Sequence, residues 1–193
     1  MATPPKHREA LVRAAADLFR RQGYAATGLN EILKSSGAPK GSLYHYFPGG
    51  KEQIGEEVVR VGGQLVTDTL TELADSQSDA GSLLREYARL LAGWVSDSDF
   101  HEGSPITTVL LELAPDSESV TAAGQAVYRQ WTSLLRDTLI ASGVGRARAE
   151  RLAVLAVSSL VRARVERSGQ PILDSLGEVA DVFDGAIAAA HSH

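Results

Sequence analysis

Ser36-Gly37-Ala38-Pro39-Lys40-Gly41-Ser42-Leu43-Tyr44-His45-Tyr46-Phe47-Pro48 is the stretch that decides how this chain is read. Gly37 stands where a helix would close in a left-handed cap. Pro39 falls just inside the next start, where its missing N–H costs nothing. The element that follows, Pro39 to Tyr46, is barely two turns long. Steps of 100° put Leu43, Tyr46 and Phe47 on one side, so Gly41, Ser42, Tyr44 and His45 project from the other. Upstream, Leu11, Ala14, Ala15, Leu18 and Phe19 recur at three- and four-residue steps and predict a first helix from about Pro5 to Gln22, stopped by Gly23. Between the two, Thr27 is expected to N-cap a short second helix, with Glu31 in its first turn and Leu29, Ile32 and Leu33 facing inward. Two short helices joined through Gly37 and braced by a third make a helix-turn-helix.

The outward face of the third helix carries the chemistry. Ser42, Tyr44 and His45 offer hydroxyls and a ring nitrogen, groups that bond phosphates or base edges when a helix enters the major groove. Lys40 lies near a helix N-terminus, where the macrodipole disfavours a cation and a nearby phosphate would remove the conflict. Lys51 opens a fourth helix and pairs its charge with free backbone N–H groups, a phosphate site in kind. With two heads docked, these lysines give about four phosphate contacts and a salt slope of log affinity near about −3.6. The plainer alternative is a three-helix core with solvated polar residues. Turn glycine, proline, outward aromatics and flanking lysines together favour DNA.

Charge supports that choice. Residues 1–51 hold eight Lys/Arg and three Asp/Glu, a net of +5, whereas residues 52–193 hold eleven and twenty-one, a net of −10. A basic head on an acidic body suits a protein that offers one end to nucleic acid. At 193 residues a small head and one larger body fit better than two equal halves. There is no cysteine, which excludes disulfides, thiolate metal sites and a cysteine nucleophile and suits a reducing cytoplasm. The N-terminal residues lack the apolar core of a signal peptide. The longest apolar-rich run, Leu152 to Val165, is interrupted by Ser158, Ser159, Arg162 and Arg164, so no membrane span is expected.

Helical periodicity continues to the end, and the expected fold is all-α with nine helices, three in a head (1–50) and six in a body (51–193). The fourth runs from about Lys51 to Ala74, with Ile54, Val58, Val61, Leu65 and Leu73 on one side and Val59, Val66 and Leu70 on another. The fifth spans about Leu83 to Val95, the sixth Pro105 to Leu113, the seventh the stretch up to Ile140, and the eighth Arg146 to Arg167. The last carries Leu173, Leu176, Ala180, Phe183, Ile187 and Ala190 on one stripe. The eighth is apolar around most of its circumference, more than one body readily covers. Leu152, Leu155, Ser159, Phe183 and Ile187 are therefore expected at a two-fold homodimer interface.

Gly23-Tyr24-Ala25-Ala26-Thr27-Gly28-Leu29-Asn30-Glu31-Ile32-Leu33, followed by the stretch quoted at the outset, resembles the TetR family of bacterial regulators over about 50 residues. Thr-Gly-Leu-Asn-Glu-Ile-Leu, Phe-Pro-Gly-Gly-Lys-Glu-Gln and the body segment Gly103 to Glu112 look like its LmrA/YxaF-like subgroup. The resemblance implies a symmetric dimer with a four-helix interface, double-stranded, palindromic operator DNA as partner, a ligand cavity in the body, and release of DNA when a small-molecule inducer fills it. It also implies DNA contacts at Thr27, Lys40, Gly41 (through its backbone), Ser42, Tyr44, His45 and Lys51. The chain departs from the family in two places. Pro39 replaces a serine or threonine of many members, and one extra glycine stands between Phe47 and Lys51.

In the body, Val59, Val66, Tyr87, Leu91, Trp94, Thr108, Leu111, Trp131, Leu135 and Val161 either line a mostly apolar pocket or belong to plain core. Arg162, if buried, needs a partner such as Glu112; otherwise it reaches solvent. Enzyme readings fail on motif: there is no Gly-x-Ser-x-Gly elbow, Gly50-Lys51 lacks the rest of a P-loop, and His101-Glu102 has no second histidine for zinc. No metal or cofactor is expected. The leading expectation is a ligand-responsive repressor; the alternative is a small-molecule-binding protein of the same fold without specific DNA binding.

Overall fold

The computed structural model describes residues 6–77, 79–99, 101–156 and 168–190. Nine helices and no strand occur among them: α1 (Lys6–Gln22), α2 (Leu29–Ser36), α3 (Lys40–Tyr46), α4 (Gly50–Ser76), α5 (Ala80–Asp97), α6 (Pro105–Leu113), α7 (Glu118–Ala141), α8 (Arg146–Ala156) and α9 (Gln170–Ala190). Packing divides the chain into two compact units, Met1–Gln64 with Ser104–Val127, and Leu65–Gly103 with Tyr128–His193.

In the first unit α1 packs on α2, α3 and α6. Leu11, Ala15 and Phe19 supply the buried face of α1, and Ile32, Leu43, Phe47, Ile54, Val58, Ile106 and Val109 are buried from the other elements. Helix α2 ends as expected. Gly37 adopts a left-handed conformation (φ 64°) and its N–H donates to the Leu33 carbonyl at 3.1 Å, a geometry that a side-chain-bearing residue resists. Its start is one residue later than expected. Gly28, not Thr27, occupies the cap position, and no side chain caps the helix. Pro39 likewise caps α3 rather than standing inside it, and its carbonyl accepts from the Ser42 N–H at 2.9 Å.

The second unit is built on α5 packed along α9, with α8 also against α9. Its buried side chains include Leu83, Leu84, Tyr87, Ala88 and Leu91 from α5, Trp131, Leu135 and Leu139 from α7, and Ile172, Leu176 and Ala180 from α9. Helix α5 begins three residues before the expected Leu83 because the Asp79 carboxylate accepts from the Ser82 N–H at 2.7 Å. Ser104 caps α6 in the same way, accepting from Thr107 at 3.2 Å. Both expected sides of α4 contribute buried residues, Ile54, Val58 and Leu73 from one and Val59 and Leu70 from the other, but Val61 and Leu65 are exposed and that part of the expectation is corrected. The eighth helix is described to Ala156, and its expected continuation to Arg167 lies outside the described residues. No described helix is long and apolar enough to cross a membrane.

Candidate nucleic-acid interface

Helix α3 is positioned by its own apolar residues. Leu43 and Phe47 are fully buried and Tyr46 half-buried, so Lys40, Gly41, Tyr44 and His45 are left exposed and Ser42 half-buried. Tyr44 is the most open aromatic of the first unit, with 54% of its surface accessible. The His45 ring stands edge-on to Tyr46 at 4.7 Å between centroids, which restrains its direction. Lys40 is exposed at the start of the helix. Among the seven residues expected to contact DNA, α3 thus brings five onto one short surface.

The other two are engaged inside the protein. Thr27 is only 1% exposed, and its hydroxyl donates to the Gly23 carbonyl at 2.7 Å. That carbonyl, four residues back at the end of α1, takes the hydroxyl expected to cap α2 and to reach DNA. The Lys51 ammonium is half-buried and donates to three backbone carbonyls of the α1–α2 turn: Tyr24 at 3.1 Å, Ala25 at 3.4 Å and Thr27 at 3.0 Å. It also lies 4.4 Å from the centre of the Tyr24 ring. A cation held by three carbonyls and an aromatic face is part of the turn, and it is there, rather than on the outward face of α3, that the structure places the Lys51 side chain.

A residue to which the sequence assigns no DNA role completes this turn. The Glu112 carboxylate, from α6, accepts from the backbone N–H groups of Tyr24 at 2.7 Å and Ala25 at 2.6 Å. Its expected partner, Arg162, lies outside the described residues. No spacing signal could reveal the contact, because the partners are 88 and 87 residues apart. Gly23 makes room for it: its φ is 91°, and a Cβ there would stand 3.1 Å from Glu112 Oε1. Burial first, then the Glu52 and Glu112 carboxylates, raise the Tyr24 phenol above its ordinary pKa. Glu52 is itself held by the Ser117 hydroxyl, which donates at 2.6 Å. Arg8 ties α1 to Glu57 of α4 at 2.9 Å, with its guanidinium 5.6 Å from the centre of the Phe47 ring.

The expected pocket residues fall in both units. In the first unit Val59 is buried, Thr108 is half-buried with its hydroxyl donating to the Ser104 carbonyl at 3.0 Å, and Leu111 is 75% exposed. Leu111 follows buried Val109 by two residues, about 200° around the helix, which turns it away from the core. In the second unit Tyr87, Leu91, Trp131 and Leu135 are buried and Val66 is half-buried, while Trp94, at the margin of the α5 stripe, is 47% exposed. The internal placement expected of Leu111 and Trp94 is therefore corrected. Burial, then the neighbouring Tyr128, pushes the Tyr87 phenol up to about 12. Tyr128 meets Trp131 edge-on at 5.3 Å. Val161 and Ser159 lie outside the described residues. Leu152 and Leu155 fall on α8 and Phe183 and Ile187 on α9, with side chains outside the described set.

An all-helical chain with a helix-turn-helix presenting a polar, cationic helix face is a DNA-binding regulator in class. Residues 11–58 match the family described as "Bacterial regulatory proteins, tetR family", and residues 80–176 match "Transcriptional regulator LmrA/YxaF-like, C-terminal domain". The HTH-type transcriptional regulator LmrA of Bacillus subtilis is 34% identical over 159 residues, 82% of each chain. The uncharacterized HTH-type transcriptional regulator YxaF of the same organism is 34% identical over 154 residues, 80% of each chain. The solved regulatory protein TetR from Rhodobacter sphaeroides shares the fold with a TM-score of 0.79 at 21% identity, covering 92% of this chain and 98% of that one. The chain belongs to the TetR family of transcriptional regulators, in its LmrA/YxaF-like branch, and is not an enzyme.

Proposed function

We propose that the protein is a ligand-responsive transcriptional repressor that leaves its operator when a small, mostly apolar molecule binds the body. Residues 1–50 act as the DNA-binding domain and 51–193 as the ligand-binding and dimerisation domain of a cytoplasmic homodimer. The observation that carries the DNA half is the exposed face of α3, where Lys40, Gly41, Ser42, Tyr44 and His45 stand over a core of Leu43 and Phe47. Lys40 addresses a phosphate, and Ser42, Tyr44 and His45 address base edges or phosphates. The inducer half rests on the second unit's interior. Tyr87, Leu91, Trp131 and Leu135 are buried there, and mostly apolar side chains with one phenol are the residue types that line a ligand site between helices. Repression is supported by a more distant relative, the HTH-type transcriptional repressor NemR of Escherichia coli, 27% identical over 189 residues. With no cysteine in the chain, a response through thiol chemistry is excluded and the signal is taken by binding.

The dimer reading rests on the apolar character of the eighth and last helices. A charge introduced at Phe183 or Ile187 should yield monomers by sedimentation; a wild-type monomer at micromolar concentration would defeat it. The DNA half is tested by enriching a duplex from a random pool and comparing its affinity with that of random duplex. Equal affinities would leave a small-molecule-binding protein of the same fold. The switch is tested by titrating apolar candidate ligands calorimetrically with and without the enriched duplex. A hundredfold loss of DNA affinity needs about 2.7 kcal/mol of coupling, and the duplex must then weaken the inducer by the same factor. Equal ligand affinities would show that the compound is not the inducer.

A further inference from the structure

We infer that Glu112 is a positioning residue for DNA recognition, acting on the α1–α2 turn from a helix outside the helix-turn-helix; the inference rests on the DNA-binding reading above. The turn from Gly23 to Gly28 sets how α1 meets α2, and through Gly37 where α3 lies. Some of its polar backbone groups are satisfied locally. The Gly23 N–H donates to the Phe19 carbonyl at 3.0 Å and the Thr27 N–H to the Tyr24 carbonyl at 3.1 Å. The Thr27 hydroxyl takes the Gly23 carbonyl. Two side chains from beyond residue 50 hold further groups of the turn. Both carboxylate oxygens of Glu112 are engaged, one on the Tyr24 N–H and one on the Ala25 N–H, while Lys51 takes the Tyr24, Ala25 and Thr27 carbonyls.

This is a bracket of opposite charges on one peptide turn. An anion takes its donors and a cation takes its acceptors, so each side chain fixes what the other cannot. The two-oxygen grip of Glu112 specifies the orientation of two successive peptide planes, which a single hydrogen bond would not. Charge-assisted bonds of this kind are about twice as strong as neutral ones. Helix α6 also packs on α1, so the carboxylate is delivered from a supported element. The conformation of the recognition unit is therefore set partly by α6, and residues 1–50 do not carry their own geometry.

The test compares the full-length wild-type protein with Glu112→Gln on two duplexes of equal length, one enriched from a random pool by the wild type and one random. The amide keeps the shape of the side chain but turns an NH₂ group towards one of the two N–H donors. Affinity for the enriched duplex should fall at least about tenfold while affinity for random duplex stays level or rises, because a negative charge has gone. The backbone amides of Tyr24 and Ala25 should exchange faster with solvent. A purely electrostatic role predicts tighter binding to both duplexes, and unchanged or tighter binding to the enriched duplex overturns the inference. If the Gln variant does not fold, Glu112→Asp decides: it keeps the charge and withdraws the carboxylate by one methylene. Loss of preference for the enriched duplex supports the bracket, and full preference overturns it. A wild-type protein that enriches no sequence defeats the DNA-binding reading itself, a result distinct from equal behaviour of wild type and variant.

Discussion

Replacing Lys51 by methionine keeps the aliphatic stem and removes the ammonium from three carbonyls and the Tyr24 ring. A hydrogen bond to a charged group contributes about 1.5–3 kcal/mol, and a cation over an aromatic face about 0.5–1 kcal/mol where solvent is near. Water can reach a half-buried site and re-satisfy some of the freed carbonyls, so the expected cost is about 2–3 kcal/mol rather than the sum over all these interactions. For a chain of this length each kcal/mol lowers the melting midpoint by about 2–4 °C, which puts the variant about 4–12 °C below wild type at equal protein concentration. The second readout is the salt dependence of DNA affinity. Removing one phosphate partner from each of two heads would flatten the slope of log affinity against log salt by about 1.8. An ammonium held within the turn leaves that slope unchanged even if affinity falls. Calorimetric melting together with fluorescence titration at several salt concentrations decides the matter. A variant that melts with wild type and whose slope flattens by about 1.8 would refute the internal role.

Lys40→Ala should do the reverse: melting is unchanged, binding to enriched and random duplexes weakens alike, and the slope flattens by about 1.8 in salt titrations. His45→Ala should cost about 1–3 kcal/mol of discrimination against altered bases if the ring reads a base edge, measured on single-base variants of the enriched duplex. The Tyr87 phenol, pushed up to about 12, stabilises the fold fully below about pH 10, where the unfolded chain's tyrosine is still neutral. That stability, about 3 kcal/mol, is lost as pH rises from about 10 to 12, so melting between about pH 9 and 12 should fall less steeply in Tyr87→Phe. Arg85 pairs with Asp184 at 2.8 Å and with Asp181, but these carboxylates are largely solvated. Arg85→Ala should cost less than about 1 kcal/mol in denaturant unfolding, against about 2–5 kcal/mol for Ile172→Ala in the core.

The parts of the fold legible in the sequence are those fixed within a few residues of chain. The α3 face follows from Leu43 and Phe47, and the turn before it from Gly37, because helical phase and a left-handed cap are local properties. Caps are legible only roughly. Thr27 and Gly28 both suit the start of α2, and what separates them is whether the threonine hydroxyl turns forward to an amide or back to the Gly23 carbonyl. The pocket expectation fails at Leu111 for a related reason: hydrophobicity marks a residue as suited to burial without saying which side of a short helix is covered.

The α1–α2 turn shows why the functional roles are harder to read than the helices. Lys51 at a helix start satisfies every local condition for a phosphate site, and one-dimensional reasoning has no means of seeing the carbonyls that folding brings beneath it. An ammonium on a four-carbon stem takes whichever acceptors lie within reach, here three from residues 24 to 27 positions upstream. Glu112 is the same problem with the sign reversed, across a longer separation. The two placements share one cause, since both side chains answer polar groups of a turn that neither adjoins. Such a turn holds its shape only while its distant partners are in place. A helix-turn-helix whose motif is fully visible in about fifty residues can thus depend for its working geometry on residues that the motif does not contain.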